Sequence, residues 1–279
     1  MMLEYMKNKI TTDQRTQLEE KGYFICRGLV ARKEVNILRE QIVGFVENPG
    51  EREEALDKEL AVRQGEGEDL DRRARFRKIQ RLGRHVPEIW NNHYAAAQVL
   101  DVVSEFLNTE DVFLKFDSVF LKPAKTGGST PWHQDIGLWR DDHVGACNAW
   151  LAIDPATKEN GCMQFVPGSH KAGLVEHVKY DDGVHPELPR EMCADLEIEQ
   201  IEMQPGDVVF WHSWIWHYSP PNTSDHDRIG MGAVWVDWDM VVRSGRHRKY
   251  FVVMKNGEAN KWPPIEVQAP DTTEALGDS

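Results

Sequence analysis

The spacing of apolar residues divides the chain into a helical first part and a strand-rich second part. In residues 31–46 apolar side chains recur at every third or fourth position, which is typical of an amphipathic helix. A cluster of N-cap residues at Thr11–Asp13 and the Lys21-Gly22 pair predict the start and the end of an earlier helix. The apolar run Tyr23–Cys26 predicts a short strand, and an apolar stripe over Val86–Leu107 predicts a third helix.

From Asp111 onward, β-branched and aromatic residues concentrate in short runs that are typical of β-strands. These runs are Val112–Phe116, Ser118–Leu121, Ala146–Ile153, Cys162–Val166, Glu197–Glu202, Val208–Trp211, Trp214–Tyr218 and Ile229–Trp238. Turn residues separate several of them, as at Asn160-Gly161 and Pro205-Gly206-Asp207. Many short strands without alternating helices predict a mainly β fold, a sandwich or jelly roll with flanking helices.

The length of 279 residues suits one domain of this kind. We expect a single domain over residues 1–267, with a helical part over about 1–108 and a jelly-roll core over about 109–255. Residues 268–279 are polar and acidic, and we expect them to form a loose tail.

The composition permits a large core and argues against wholesale disorder, because 41% of the residues are apolar and 28% are charged. With 33 basic and 46 acidic residues the formal net charge is −13, which disfavours binding to nucleic acid or to an anionic membrane surface. An acidic enzyme with a small-molecule substrate and a locally basic pocket is compatible with this charge.

Nothing in the sequence directs the chain to a membrane or to a secretory route. Residues Met1–Lys7 lack the basic and apolar segments of a signal peptide, and no apolar stretch approaches the roughly 20 residues that span a bilayer. The four cysteines lie far apart and form no Cys-x-x-Cys pair. We therefore expect a cytoplasmic protein with reduced thiols.

Two charged blocks precede the strand-rich part. Residues 49–71 are rich in Glu and Asp, and they predict a surface excursion. Residues 72–84 carry seven basic side chains, namely Arg72, Arg73, Arg75, Arg77, Lys78, Arg81 and Arg84. One interpretation is a solvated surface with local ion pairs, and the other is that the basic block lines the entrance for an anionic substrate or cosubstrate.

Candidate metal ligands occur at two places in the strand-rich part. His133 and Asp135 are two positions apart, so on an extended backbone their side chains share one face and can converge on one metal ion. His212 and His217 lie in one β-like run, and either could complete the two-histidine, one-carboxylate set of non-heme Fe(II) sites. The segment His185-Pro186-Glu187 has a similar form, but it lies in a proline-rich acidic loop and is not expected to bind metal.

Arg228 opens the apolar run at 229–235 and has two interpretations. A guanidinium inside a barrel needs an anionic partner, and a carboxylate suits its planar fork. At the surface, the same side chain would pair with Asp225, Asp227 or Asp237. The spacing alone leaves both interpretations open.

The ordered set of motifs resembles the phytanoyl-CoA dioxygenase family of Fe(II)/2-oxoglutarate-dependent oxygenases. The resemblance extends over about residues 22–236. It rests on His133-x-Asp135, Ala149-Trp150-Leu151-Ala152-Ile153, Asn160-Gly161-Cys162, Pro167-Gly168-Ser169-His170, Pro205-Gly206-Asp207, and His217-x-Ser219 with Asn222, Ser224 and Arg228. It implies a double-stranded β-helix, a cupin-like jelly roll with N-terminal helices packed outside it.

The resemblance implies that His133, Asp135 and His217 bind Fe(II). His217 is preferred to His212, because it heads the His-x-Ser motif and stands eleven positions before Arg228, the family interval. By the same resemblance, Arg228 and Ser219 hold the distal carboxylate of 2-oxoglutarate.

Further residues follow from the same comparison of motifs. Trp150 matches a position that faces the cosubstrate, and Lys78 matches a basic residue that reaches it from the N-terminal region. Trp132 and Trp139 flank the metal motif and are expected in the pocket wall, whereas His170 beside a turn is expected to be structural. The presence of Asp135 argues against the halogenating relatives, in which a small residue takes that position.

The activity that the resemblance implies is oxidation of an unactivated C–H bond in a small organic molecule. It consumes O2 and decarboxylates 2-oxoglutarate to succinate, and the product is hydroxylated, desaturated or cyclised. Two alternatives come from other classes of protein. One is a catalytically silent metal-binding jelly roll that acts as a sensor or scaffold, and the other is a cupin-type metalloenzyme that does not use 2-oxoglutarate.

Overall fold

The structure is a computed structural model that describes residues 10–67, 69–139, 146–243 and 249–268. Residues 1–9 and 269–279, which include nearly all of the predicted tail, lie outside these ranges. The helices are α1 (Thr12–Lys21), α2 (Arg32–Glu47), α3 (Leu60–Arg63), α4 (Pro87–Ile89), α5 (Ala97–Leu107), α6 (Asp135–Trp139) and α7 (Trp238–Arg243). The strands are β1 (Tyr23–Cys26), β2 (Leu56–Lys58), β3 (Phe76–Gln80), β4 (Val112–Lys122), β5 (Thr130–His133), β6 (Ala146–Ala152), β7 (Met163–Phe165), β8 (Glu199–Ile201), β9 (Val208–His212), β10 (His217–Ser219), β11 (Arg228–Val236), β12 (Lys249–Lys255), β13 (Glu258–Ala259) and β14 (Ile265–Gln268).

The first two helices confirm their predictions. The side chain of Thr11 caps α1 by accepting a hydrogen bond from the backbone nitrogen of Gln14 at 3.2 Å. Gly22, with φ of 87°, ends that helix in the left-handed conformation that glycine adopts without strain. Helix α2 buries its predicted apolar stripe, Val35, Leu38, Ile42 and Phe45, and also Val46.

The prediction of a continuous third helix over 86–107 is wrong. The segment is divided into α4, a π-helical turn at Trp90–Tyr94 and α5. The π turn adds a residue to one turn and so rotates the side chains that follow it. Trp90, His93 and Tyr94 in this turn are all buried.

Two antiparallel sheets form the core of the fold and confirm the jelly-roll prediction. The larger sheet has the strand order β1-β9-β6-β11-β4-β12-β13, with β14 on β12 and β3 joining β2 to β4. The smaller sheet has the order β5-β10-β7-β8. Helices α2 and α5 pack on the outer face of the larger sheet, and a separate apolar cluster fills the space toward the smaller one.

Several strand predictions differ from the structure in their bounds. The two runs between 112 and 121 form the single strand β4, and most of the predicted strand 214–218 is a turn that precedes β10. Strands β2, β3, β12, β13 and β14 were not predicted. The first 108 residues therefore add strands β1, β2 and β3 to the larger sheet as well as helices, and the domain bounds of 1–267 stay a prediction.

Strand β11 has two different faces, and its glycines belong to the inner one. Its outer residues, Ile229, Met231, Ala233 and Trp235, join the core beneath the helices. On the inner face, a β-carbon at Gly230 would lie 1.8 Å from Cζ2 of Trp150, and one at Gly232 would lie 2.6 Å from Cε2 of Phe120. The two aromatic rings thus lie directly against the β11 backbone.

None of the helices within the described ranges combines the length and the apolar character that crossing a membrane requires. The four cysteines are free thiols in the structure.

His93 is a buried titratable group in this fold. It is fully buried between the rings of Tyr94 and Trp235, with centroid distances of 4.8 and 6.0 Å. Neither ring nitrogen has a hydrogen-bond partner among the described residues. Burial lowers the pKa of His93 from 6.5 to about 3, because a charged imidazole has no solvation there.

We predict that His93 makes the protein sensitive to mild acid. Below pH 6.5 His93 is protonated in the unfolded chain but stays neutral in the folded chain. The free energy of unfolding therefore decreases as the pH falls from 6.5 toward 3, by up to about 1.4 kcal/mol per pH unit. Urea denaturation at pH 7.5, 6.5 and 5.5 should show a shallower loss of unfolding free energy for His93→Phe than for wild type. The exposed His226→Phe variant is the control. Equal slopes for wild type and His93→Phe would contradict the prediction.

Candidate metal centre and cosubstrate pocket

Three side chains that can bind a metal ion meet on the cavity side of the smaller sheet. Nε2 of His133 and Nε2 of His217 lie 3.8 Å from the two carboxylate oxygens of Asp135. One ligand atom from each residue lies within 4.8 Å of the others, so all three can contact a common ion. Two imidazoles and one carboxylate are the donor set that non-heme Fe(II) sites use.

The pairing of β5 with β10 brings the two histidines together. His133 and His217 are direct partners across this antiparallel pair, and their ring centroids lie 4.0 Å apart. Contrary to the prediction, Asp135 does not lie on one extended strand with His133. Strand β5 ends at His133, and Asp135 is the first residue of α6, which turns its carboxylate back toward the two rings.

Hydrogen bonds orient the three candidate ligands. The Nδ1 atoms of the histidines contact backbone carbonyls, His133 to Pro131 at 2.8 Å and His217 to Ile215 at 3.2 Å. These bonds fix the tautomer in which Nε2 carries the free lone pair. The indole nitrogen of Trp211 donates to Asp135 at 2.8 Å and holds the carboxylate in place.

Electrostatics favour the neutral form of His133. Burial, together with the neighbouring His217 and His185, lowers the pKa of His133 well below its usual value of 6.5. A neutral imidazole is the form that binds metal, so the lone pair of His133 is available at neutral pH.

Gln134, between the two ligands of the first motif, is a site residue that the sequence analysis missed. Its side chain is fully buried and donates to the carbonyls of Gly173 and Trp214 at 2.8 and 2.7 Å. Its Oε1 accepts from the backbone of Val175 at 2.8 Å, and its own backbone nitrogen donates to His177 at 2.9 Å. Gln134 therefore ties two loops to the segment that carries the ligands.

The structure separates His217 from the alternatives in the sequence. The ring of His212 lies beside His170 at 5.4 Å and accepts a hydrogen bond from the backbone of Trp214, and His212 is not part of the candidate cluster. His185 lines the cavity with its ring 4.6 Å from that of His133, although it is likewise outside the candidate cluster. A proline-rich loop gave no sign that it would lie there.

Arg228 is buried, so the surface interpretation of this residue is wrong. It is only 2% exposed, and its guanidinium lies 5.1 Å from the Trp150 ring centre. Asp225 instead pairs with Lys125, and Asp227 accepts a bond from the backbone of residue 124. Burial lowers the pKa of Arg228 to about 10. Its Nη1 donates to the carbonyl of Gly161, but its buried Nε has no partner among the residues that the structure describes.

The unpaired Nε of Arg228 bears on whether the pocket fits 2-oxoglutarate. A buried guanidinium with an unused donor is costly unless an anion compensates it. A carboxylate is the partner that fits its planar fork best. The pocket around Arg228 therefore suits the distal carboxylate of a keto-diacid.

The Asn160-Gly161 turn anchors this end of the pocket. The carbonyl of Gly161 accepts hydrogen bonds from Arg228 and from the hydroxyl of Ser219, the latter at 2.8 Å. Ser219 would exchange this bond to contact a carboxylate. Lys122, which the sequence analysis missed, is buried beside Arg228 and donates to the carbonyls of residues 128, 219 and 220.

A cavity of about 450 Å³ connects the candidate metal ligands with Arg228. Lys78 on β3 lines it, with the ammonium 4.6 Å from the ring centre of Phe116 and 5.3 Å from that of Phe120. Burial lowers the pKa of Lys78 to about 8. Trp139 lines the cavity as expected, whereas Trp132 stacks on Tyr218 at 5.3 Å and is not in the wall.

The basic block is divided between the surface and the cavity. Arg72 and Arg73 form partly exposed ion pairs with Glu53 and Glu47. Arg77 and Lys78, farther along the same block, line the cavity. His170 packs against Gly22 and His212 away from the cavity, in agreement with a structural role.

Comparison with known proteins identifies a family that this chain resembles. The model of the phytanoyl-CoA dioxygenase family matches residues 18–230. The chain is 27% identical to a probable phytanoyl-CoA dioxygenase from Caenorhabditis elegans over 83% of this chain and 77% of that one. It is 31% identical to L-proline trans-4-hydroxylase from Streptomyces griseoviridis, a match that covers 50% of this chain and only 59% of the relative.

Solved structures share the fold. EctD from S. alaskensis with bound Fe has a TM-score of 0.70 at 18% identity, covering 96% of this chain and 90% of that one. The same protein with 2-oxoglutarate and 5-hydroxyectoine has a TM-score of 0.69 at 18% identity, covering 97% and 88%. The family match extends over well over half of the chain. The chain therefore belongs to the phytanoyl-CoA dioxygenase family and is a non-heme Fe(II)/2-oxoglutarate-dependent oxygenase.

Proposed function

We propose that this oxygenase binds Fe(II) through His133, Asp135 and His217 and hydroxylates an unactivated C–H bond of a small organic molecule. The observation that carries the proposal is one cavity lined by two matched groups. The candidate ligand cluster and the buried guanidinium of Arg228 with its unused donor both line it. A keto-diacid needs both groups, because its keto-acid group chelates metal and its far carboxylate needs a cation.

Each residue contributes by binding or orientation. The two imidazoles and the carboxylate would hold the iron, and a set of only three protein ligands would leave room for cosubstrate and O2. When bound, iron and 2-oxoglutarate supply the oxidising chemistry, in which decarboxylation to succinate activates O2 for attack on a C–H bond. Arg228 pairs with the distal carboxylate, Ser219 supports it, and Trp150 forms the wall beside it. Lys78 adds another cation to the cavity lining.

Apolar side chains also line the cavity, namely Phe116, Phe120, Leu138 and Trp139. Both histidines of the cluster are buried. Apolar walls limit the access of water to the reacting groups, which suppresses wasteful side reactions.

Hydroxylation is the outcome best supported among those expected. The relative from Streptomyces griseoviridis is named for a C–H hydroxylation. Desaturation and ring closure start from the same activation, and the identity of the substrate decides between them. A cupin that does not use 2-oxoglutarate would leave the buried, partly unpaired Arg228 without a role.

We predict that Asp135→Ala and His217→Ala lose Fe(II). Removing a direct ligand should weaken iron binding by more than the roughly 10–100-fold that loss of a supporting hydrogen bond costs. Equilibrium dialysis with Fe(II) under anaerobic conditions measures this. His212→Ala is the matched control and should retain wild-type affinity. Iron loss in His212→Ala with retention in His217→Ala would show that the third ligand is misassigned.

We predict that Arg228→Gln raises the Kd for 2-oxoglutarate by at least about 100-fold, since breaking a buried charge pair costs about 3–5 kcal/mol. Arg228→Lys should be intermediate, because an ammonium keeps the charge but loses the planar fork. Calorimetric titration of 2-oxoglutarate and release of succinate in the presence of Fe(II) provide the two measurements. Arg243→Gln, at a surface ion pair with Asp239, is the control. An unchanged Kd in Arg228→Gln would favour the cupin alternative.

A further inference from the structure

Strand β3 directs two adjacent cations into the cavity. In its pairing with β2, Asp57 is opposite Lys78 and Lys58 is opposite Phe76, so Arg77 is an extra residue in a β-bulge. A bulge reorients side chains that would otherwise alternate between two faces. Phe76 and Ile79 are therefore buried in the core, whereas both Arg77 and Lys78 line the cavity.

The side chains of these two cations have no hydrogen bond or ion pair among the described residues. Arg77 lies near the Glu59 carboxylate, which itself accepts from the backbone of Gly128 at 3.4 Å. Arg63 lines the same cavity but is exposed, so it marks the side that opens to solvent.

The charges around the cavity do not balance. Five cationic side chains line it, Arg63, Arg77, Lys78, Lys122 and Arg228. Against them stand two lining carboxylates, Asp57 and Asp135, and the neighbouring Glu59. Because Fe(II) and 2-oxoglutarate carry opposite double charges, loading both leaves the excess of two cations in place. In a chain of net charge −13, such a local excess needs an anion that the cosubstrate does not supply.

Two of the five cations already have partners or a role. Lys122 donates to three carbonyls, and Arg228 lies beside it. Arg63 is exposed at the solvent side, and Arg77 lies near both Arg63 and His185. The ring of His185 in turn lies 4.6 Å from that of His133. The apolar residues Leu138 and Val184 also line the cavity.

We propose that Arg77, supported by Arg63, binds an oxyanion of the substrate, a carboxylate or a phosphate or phosphonate group. The substrate then has an anionic end at Arg77 and an apolar portion along the wall toward the metal ligands. This inference rests on the proposed function, because it assigns the 2-oxoglutarate carboxylate to Arg228. Arg77 thus determines specificity and orients the substrate.

The test is a calorimetric titration of the protein saturated with Mn²⁺ and 2-oxoglutarate. Inorganic phosphate and butyrate are the two anionic probes, and butyramide is the uncharged control. We expect at least one anion to bind and butyramide not to bind, and the stronger anion identifies the headgroup. Arg77→Gln should weaken that anion by about 10-fold or more, since hydrogen bonds to charged groups are strong. Arg77→Lys should retain part of the affinity.

Arg73→Gln, in the same basic block but at a surface ion pair with Glu47, is the matched control and should bind like wild type. Because Arg63 is exposed, Arg63→Gln should fold normally and weaken anion binding by about 3-fold, and it decides the question if Arg77→Gln does not fold. The proposal is overturned if neither anion binds wild type, or if Arg77→Gln and Arg63→Gln both bind as wild type does.

The affinity for 2-oxoglutarate, measured first on every variant, separates the two proposals. An equal loss of 2-oxoglutarate affinity in Arg77→Gln would place Arg77 in the cosubstrate site and overturn its assignment to the substrate. If wild type does not bind 2-oxoglutarate, the proposed function fails instead. The anion titrations are then repeated without 2-oxoglutarate, and the Arg77→Gln comparison decides the role of Arg77 by the same criterion.

Discussion

The register of β5 against β10 is the constraint on which the site depends. Direct pairing of His133 with His217 puts two imidazoles on the same face of the smaller sheet. A slip of one residue would turn one of them to the opposite face, because side chains alternate along a strand. Phe165, the partner of His217 on β7, flanks the ring from the other side, and Gln134 ties loops to the end of β5. Short strands therefore keep their alignment through side-chain packing and loop contacts.

Much of the fold could be predicted because its signals are local. The caps of α1, the apolar stripe of α2 and the turn residues between strands depend on a few neighbouring positions. The metal motif was similarly visible as His133 and Asp135, and the resemblance to a family selected His217 over His212. Strand β12 contains a clear apolar run that indicates a strand, whereas β14 is a partly exposed edge strand with few apolar residues.

The remainder depends on contacts between distant segments. No local pattern indicates that His185 would reach the metal ligands or that Gln134 would be fully buried. The bulge at Arg77 arises only when β3 pairs with β2, and it reverses the face that simple alternation would assign. Lys122 looks like an ordinary lysine before a proline in the sequence, yet its three carbonyl partners come from the loop at residue 128 and from the end of β10. Such features become evident only in three dimensions.

The inner face of β11 has a consequence for how this cavity can change. This face forms the floor of the cavity. At Gly230 and Gly232 it has no side chains, and the rings of Trp150 and Phe120 pack directly on its backbone. Replacing either glycine by alanine would displace the ring that packs on it into the cavity where cosubstrate and substrate bind. The floor is thus a fixed boundary, and room for differently shaped molecules can be gained only from the N-terminal strand pair and the loops opposite. A change of substrate in such an enzyme would therefore require substitutions in those peripheral segments, whereas the residues of the floor would stay the same.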